Sequence, residues 1–201
     1  MTQQTESNIP ASIFHYHLPD KKAFLNLSDL TQSERTVIVE DLEKRRQAGE
    51  IKRWFPDWYF LQRAEAEANM RQVLEGKGES ISRKAPHYFS LGRSKGIEMG
   101  YGDKYALVEI PVQLVKETAW FTIGDNIWTF SQAYTDLMQW ENRWYHGQLF
   151  RYDELVDVIA QIGLDLGDPA SMAILNVPCV EAMIWSDEDL ESVLVASKES
   201  K

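Results

Sequence analysis

The order in which helical and strand-forming segments follow one another constrains the fold of this sequence more than any other feature. One alternating segment, SIFHYHL at 12–18, comes first, and two helical segments follow it before any further strand. Several strand-like segments then succeed one another, and a single amphipathic helix at 152–163 precedes the last of them. A doubly wound parallel sheet would need regular alternation of strand and helix. The order instead predicts an α+β single domain with a mostly antiparallel or split sheet and two to three amphipathic helices.

The helical segments carry recognisable start and stop signals. Thr31 and Glu34 match a capping box, in which each side chain satisfies an exposed backbone donor of the other. The second helix is expected to begin at Pro56-Asp57 and to end at Gly76, and the third to end at Gly163.

The strand-like segments are rich in β-branched and aromatic residues. They are HYFSLG at 87–92, YALVEIPVQL at 105–114, AWFTI at 119–123 and the segment 177–185, with 193–195 as a further short candidate. GRSKGIEMGYG at 92–102 has glycines that match no known phosphate-binding spacing, so we expect a flexible loop there. Trp120, Trp128, Trp140 and Trp144, with Tyr134 and Tyr145, are of a type that can stack a base or a sugar, but aromatic clusters usually belong to the core.

Composition bounds the class of protein. The chain has 201 residues, a formal net charge of −10 and one cysteine, Cys179. The acidic balance disfavours non-specific adhesion to nucleic acid or to an anionic membrane, although a local basic groove remains compatible with it. No apolar run is long enough to cross a bilayer. The polar start of the chain lacks the pattern of a signal peptide, and a lone cysteine favours a reducing compartment, so a cytoplasmic location is expected. We expect flexible tails at 1–8 and 196–201 around one domain at 9–195.

Familiar catalytic motifs are missing from the sequence. It has no G-x-G-x-x-G motif of dinucleotide-binding folds and no G-x-x-x-x-G-K motif of phosphate loops. It also lacks the G-x-S-x-G motif of α/β-hydrolases. His15 and His17 share one strand face, as two metal ligands can, but the spacing supplies no third ligand. We therefore predict no metal site.

Glu181 is the most unusual residue of the sequence. It stands in a segment that otherwise reads as a buried strand, and alternation places it on the same face as Cys179 and Met183. A carboxylate with apolar neighbours is costly unless it has a partner or a role. We therefore expect a functional carboxyl at this position; the alternative is a sheet-edge carboxylate that points to solvent.

Three segments together resemble the ADP-ribosyltransferase fold, in its His-Tyr-Glu branch. They are the histidine-bearing strand SIFHYH, the later strand HYFSLG and the late VPCVEAMIW segment. Their residue pattern is similar to that of DNA-targeting ADP-ribosyltransferase toxins and RNA 2'-phosphotransferases. The resemblance implies NAD as cofactor and a macromolecular acceptor, either protein or nucleic acid.

The resemblance also implies roles for individual residues. His15 or His17 would contact the nicotinamide ribose, and Tyr88 would pack on the nicotinamide with Ser90 beside it. Glu181 would be the catalytic carboxylate that holds the ribose 2'-hydroxyl and stabilises the positive charge of the transition state.

Basic residues between 50 and 95 suit a phosphate-bearing ligand, NAD included, if they line one groove. Among them, Arg93 is expected to bind the cofactor. The set comprises Lys52, Arg53, Arg63, Arg71, Arg83, Lys84, Arg93 and Lys95. The alternative function is a non-catalytic protein-interaction factor, such as an adaptor, an antitoxin or a phage-type accessory protein. The acidic balance and the dense aromatic segment at 120–152 favour that alternative.

Overall fold

A five-stranded sheet organises the protein, which we describe from a computed structural model over residues 9–132, 136 and 143–199. All neighbouring strands are antiparallel, and their order across the sheet is β3-β1-β2-β5-β4. The strands are β1 (Ser12–His17), β2 (His87–Leu91), β3 (Ala106–Pro111), β4 (Trp120–Ile123) and β5 (Val180–Ile184). The predicted α+β class with a mostly antiparallel sheet is confirmed. The predicted tail at 1–8 lies outside the described residues.

Seven helices surround the sheet in the described part of the chain. They are α1 (Gln32–Gln47), α2 (Asp57–Gly76), α3 (Lys95–Tyr101), α4 (Asn126–Phe130), α5 (Tyr152–Ile162), α6 (Pro169–Ile174) and α7 (Asp187–Glu199), and a short 3-10 helix spans Val112–Leu114. The predicted capping box at the start of α1 is confirmed, since Thr31 Oγ1 accepts from the Glu34 backbone N–H at 3.3 Å and the Thr31 N–H donates to Glu34 Oε2 at 2.9 Å.

Apolar side chains on both faces of the sheet are covered by helices, because strand alternation sends successive residues to opposite faces. On one face α2 packs on the sheet and buries Ala66, Met70, Leu74, Trp120 and Met183. On the other face α5 and α7 pack on the sheet and bury Phe89, Phe121, Ala182, Leu155, Ile159, Leu190 and Val193. The sheet is thus the middle layer of three.

Two segments differ from what the sequence predicts. The glycine-containing segment at 92–102 is not a loop throughout, because α3 forms there with the Ser94 hydroxyl accepting from the Ile97 N–H. The short candidate strand at 193–195 is part of α7, which continues through the first residues of the predicted tail at 196–201. The Ser186 hydroxyl accepts from the Asp189 N–H at 3.1 Å, and this cap with an acidic first turn favours a helix over a strand.

The aromatic residues divide between core and surface. Trp120 and Tyr145 are buried, which confirms the core interpretation for these two, whereas Trp144 is exposed. Tyr134 and Trp140 lie outside the described residues.

The helices described here include none that combines the length and the apolar composition needed to cross a membrane.

The pairing between β1 and β2 is the shortest in the sheet. Strand β1 pairs with β3 along its whole length, but it pairs with β2 only at Ile13 and Phe14, opposite Leu91 and Ser90. Beyond these residues the two strands diverge. The sheet is continuous, but this short pairing leaves backbone groups on both strands that need other partners.

His15 bridges this gap with both ring nitrogens. Its Nε2 lies 3.0 Å from the Phe24 backbone nitrogen and accepts that N–H. Its Nδ1 must then carry the proton, which it donates to the Tyr88 carbonyl oxygen at 2.9 Å. Burial lowers the pKa of His15 from 6.5 to about 4, an effect partly opposed by the hydrogen bond to Tyr88. The neutral imidazole is thus a structural connection between β1, β2 and the loop that carries Phe24.

The lowered pKa predicts a stability difference that depends on pH. Between pH 6.5 and about 4 the unfolded chain protonates His15 and the folded chain does not, so lowering the pH favours unfolding. The free energy of unfolding of the wild type, relative to a His15→Gln variant, should fall by about 3 kcal/mol over this range. Urea denaturation at several pH values measures the difference. A wild-type advantage that does not change with pH would contradict the neutral bridge.

Candidate functional site

A cleft of about 260 Å³ opens where β1 and β2 diverge. Both strands contribute to its walls, together with residues of β5, the start of α4 and the segments that precede α1 and α2. The cleft therefore lies where the backbone pairing of β1 and β2 is incomplete, and the side chains that line it determine which ligand it can bind.

Glu181 lies in the interior of the sheet, because β5 is flanked by β2 and β4. The register places it between Ser90 on one side and Thr122 on the other. Its carboxyl group is thus not at a sheet edge, and it lines the cleft.

The start of α4 holds one oxygen of this carboxyl group. Glu181 Oε2 accepts hydrogen bonds from the backbone N–H of Asn126 at 2.8 Å and from its side-chain Nδ2 at 2.6 Å. Among the described residues no donor contacts Oε1. Since Oε2 already accepts two hydrogen bonds, a proton on the carboxyl group resides on Oε1. That oxygen is available to a ligand.

The carboxyl group of Glu181 retains its proton to an unusually high pH. Burial and, second, the negative charge of Asp125 raise its pKa from 4.5 to about 8, against the opposing effect of the Asn126 hydrogen bonds. Burial also raises the pKa of Asp125, whose carboxylate accepts from the Ile127 N–H at 2.9 Å. Two acidic groups that titrate together in this way lose their last proton later than isolated carboxyl groups do.

Arg63 of α2 organises the side of the cleft next to Tyr88. Its guanidinium forms a salt bridge with Glu67 at 2.9 Å and lies 4.7 Å from the centre of the Tyr88 ring. Glu67 also accepts from the Tyr88 hydroxyl at 2.9 Å, and Arg63 donates to Asn26 Oδ1 at 2.9 Å. Burial is the main reason why the pKa of Tyr88 is well above its usual value. The phenol is therefore neutral and fixed in place.

The residues singled out from the sequence are brought together only in part. Tyr88, Ser90 and Glu181 share one face on adjacent strands. Ser90 lies directly opposite Glu181, and Tyr88 is its diagonal neighbour, at a typical distance of about 7–8 Å. His15 and His17 line the same cleft but project from the opposite face of β1 by alternation. The Nδ1–H of His17 donates to the Leu18 carbonyl oxygen at 2.9 Å, so Nε2 is not used in this hydrogen bond.

Arg93 lies outside the lining of the cleft. It pairs with Glu98 at 2.7 Å and donates to the Tyr105 hydroxyl at 2.8 Å. Of the eight basic residues between 50 and 95, Arg53 and Arg63 line the cleft.

Several residues of the site escape sequence reasoning. Asp125 and Asn126 follow Gly124, and the sequence indicates only a turn there, although Asp125 caps α4 by a common pattern. Arg63 and Glu67 are four residues apart on a helix, a spacing typical of a surface ion pair. Cys179 also lines the cleft, but burial raises the pKa of its thiol well above the usual value, so it is not a ready nucleophile.

Within residues 9–132, 136 and 143–199, no three His, Cys, Asp or Glu side chains are grouped so that they could hold a metal ion. The cleft offers instead a carboxyl pair, aromatic rings and guanidinium groups.

Comparisons with protein-family models, with curated proteins and with solved structures gave no match to this chain.

The cost of burying Glu181 predicts a stabilising substitution. A carboxyl group whose folded-state pKa is raised to about 8 binds a proton more tightly in the folded chain than in the unfolded one, so stability falls as the pH rises from 4.5 towards 8. Glu181→Gln removes this loss, and we expect it to raise the free energy of unfolding at pH 8 by at least about 1 kcal/mol. The exposed Glu188, changed to Gln, is the matched control and should have little effect. A destabilised Glu181→Gln protein at pH 8 would contradict the raised pKa.

Proposed function

We propose that the chain is an NAD-dependent ADP-ribosyltransferase-like enzyme that acts in the cytoplasm on a macromolecular acceptor, either protein or nucleic acid. The observation that carries the proposal is the position of Glu181. An interior carboxyl group with one free oxygen lies diagonally next to an immobilised tyrosine ring in a cleft. A carboxyl group is kept at such a cost of desolvation where it performs chemistry.

The cleft contains groups that fit the two halves of a nicotinamide riboside. Tyr88 offers the accessible part of a fixed aromatic ring, against which a planar heterocycle can stack. Glu181 Oε1 is the unpartnered oxygen beside it, suited to a ribose hydroxyl. NAD supplies an activated bond between the ribosyl carbon and the nicotinamide nitrogen, whose cleavage leaves positive charge on that carbon.

Glu181 stabilises this charge once it is ionised, because a fixed negative charge in a water-poor cleft interacts strongly with a developing positive one. Asn126 keeps the carboxylate in place through its two hydrogen bonds, so no reorganisation is needed during the reaction. Asp125 adds negative potential at the same point, and its effect is to delay the ionisation of Glu181. His15 has both nitrogens engaged by backbone groups and therefore positions the cleft wall rather than the substrate.

The ionisation requirement predicts the pH dependence of the reaction. The kcat/KM for nicotinamide release from NAD should rise with pH through a midpoint near 8, because the value reports the free enzyme. Glu181→Gln should lower the rate by roughly a hundredfold to a thousandfold, as for the loss of other preorganised electrostatic groups. Nicotinamide release followed by chromatography at pH 6 to 9 measures both effects.

Glu188→Gln serves as the matched control, since it makes the same chemical change on an exposed residue of α7. Full activity of Glu181→Gln, or no release of nicotinamide by the wild type at any pH in this range, would contradict the proposal.

A second candidate is the non-catalytic protein-interaction factor. An exposed apolar surface formed by Trp54, Trp58 and Leu61 at the start of α2 favours it, since these side chains are 60%, 40% and 75% exposed. If the wild type releases no nicotinamide, this candidate predicts that Leu61→Ser abolishes binding of a purified partner. Unchanged binding by the variant would contradict it.

A further inference from the structure

Arg53 is held in the cleft by contacts that leave little freedom to its side chain. It lies in the segment between α1 and α2, and its backbone N–H, like that of Lys52, donates to the Gly100 carbonyl oxygen, at 3.0 and 2.9 Å. Its Cγ packs so closely on Gly100 that a Cβ there would lie 3.0 Å away. The end of α3 thus fixes both the backbone and the stem of Arg53.

Aromatic rings surround the guanidinium of Arg53. Its central carbon lies 4.8 Å from the centre of the Tyr101 ring and 5.3 Å from that of the Phe55 ring. Cation–π contacts use the flat faces of a guanidinium, and they leave the N–H groups along its edge for in-plane hydrogen bonds. Two parallel N–H groups match the oxygens of a phosphate.

The charge of Arg53 is not paired within the part of the chain that the structure describes. No carboxylate oxygen there lies within 4.0 Å of its nitrogens, whereas Arg63 forms a salt bridge with Glu67 and donates to Ser28, Tyr59 and Asn26. The two guanidinium groups in this cleft thus differ. The donors of Arg63 are occupied by the protein. Arg53 has a side-chain hydrogen bond with Tyr101 but no carboxylate partner among the described residues, so donors remain for a ligand.

The other charged groups near Arg53 do not neutralise it at neutral pH. Burial lowers the pKa of Arg53, but the phenols of Tyr101 and Tyr59 more than compensate for this, so the pKa is raised. Asp125 is close enough for Arg53 to affect its pKa, yet it forms no salt bridge with it. Lys22 is a further cation of the lining, and it is exposed and without an ion pair among the described residues.

We propose that Arg53 is the anchor for a phosphate or pyrophosphate group, and that the cleft therefore takes a nucleoside diphosphate or a ligand containing one. The proposal deepens the proposed function, which supplies the reaction at Glu181, by identifying what holds the remainder of the ligand. The binding itself requires only Arg53 and its surroundings.

Binding of ADP and of adenosine, measured by calorimetry at low ionic strength, tests the anchor, because the two ligands differ only in the diphosphate. We expect the wild type to bind ADP more tightly than adenosine, and Arg53→Gln to weaken ADP binding by roughly tenfold to a hundredfold without affecting adenosine. Arg53→Lys keeps the charge but loses the planar fork, so it should fall between the two. Gly100→Ala, which pushes on the stem of Arg53, should weaken ADP binding in the same direction.

Arg93→Gln is the control, because it removes an exposed arginine outside the cleft and should leave ADP binding unchanged. Thermal unfolding without ligand establishes that each variant is folded. Equal binding of ADP and adenosine by the wild type, or undiminished ADP binding by a folded Arg53→Gln protein, would overturn the proposal.

Failure of the proposed reaction can be distinguished experimentally from failure of the phosphate anchor. Arg53-dependent ADP binding without nicotinamide release would leave the phosphate anchor standing and remove the ADP-ribosyl transfer. Nicotinamide release that does not depend on Arg53, with no preference for ADP, would do the reverse.

Discussion

Removing a carboxyl group from water costs free energy, and the position of Glu181 in the middle of the sheet imposes this cost on the whole fold. The protein limits the cost in two ways. Asn126 donates two hydrogen bonds to one oxygen, and the raised pKa keeps the group neutral through much of the neutral range. The hydrogen bonds come from α4, whose first residue is Asn126 and whose cap is Asp125. The same short helix therefore donates hydrogen bonds that favour the ionised carboxylate and supplies a neighbouring charge that, second to burial, delays its ionisation.

The cleft exists because the sheet is incomplete next to this carboxyl group. Strands β1 and β2 separate after two residue pairs, and His15 replaces the missing backbone contacts with its own ring nitrogens. Phe24, which His15 also contacts through ring stacking at 4.4 Å, has a φ of 61°, a value that bulky residues rarely adopt. Strain of this kind persists where surrounding contacts enforce it, and it is common next to functional sites. His15 and Tyr88 are thus neutral, hydrogen-bonded parts of the cleft wall. Glu181 Oε1 and the guanidinium of Arg53 have no ion-pair partner in the described part of the chain.

Much of the fold could be predicted from the sequence. The helices at 32–47, 57–76 and 152–162 have clear starts and stops, and the strands have continuous β-branched or aromatic composition. The helix at 95–101 could not be predicted with the same ease, since its two glycines suggest a loop and its cap at Ser94 is a weak signal. Glu181 could be identified because its polarity conflicts with its strand. Asp125 and Asn126 could not, because their importance arises from contacts with distant segments. Arg53 could be identified only as one of eight basic residues suited to a phosphate. Arg53 becomes distinctive only when its neighbours prove to be aromatic rings rather than carboxylates.

The central claim is that Glu181 remains protonated in the neutral range, and carbon-13 NMR of the glutamate side-chain carboxyl groups tests it most directly. The Glu181 resonance is assigned by its absence from the spectrum of Glu181→Gln, and its chemical shift is followed from pH 3 to 10. A midpoint near pH 8 is the expected result. A midpoint at or below the ordinary value of 4.5 would mean that the group is hydrated or paired in the folded protein, and that the cleft does not hold the proton on which this account depends.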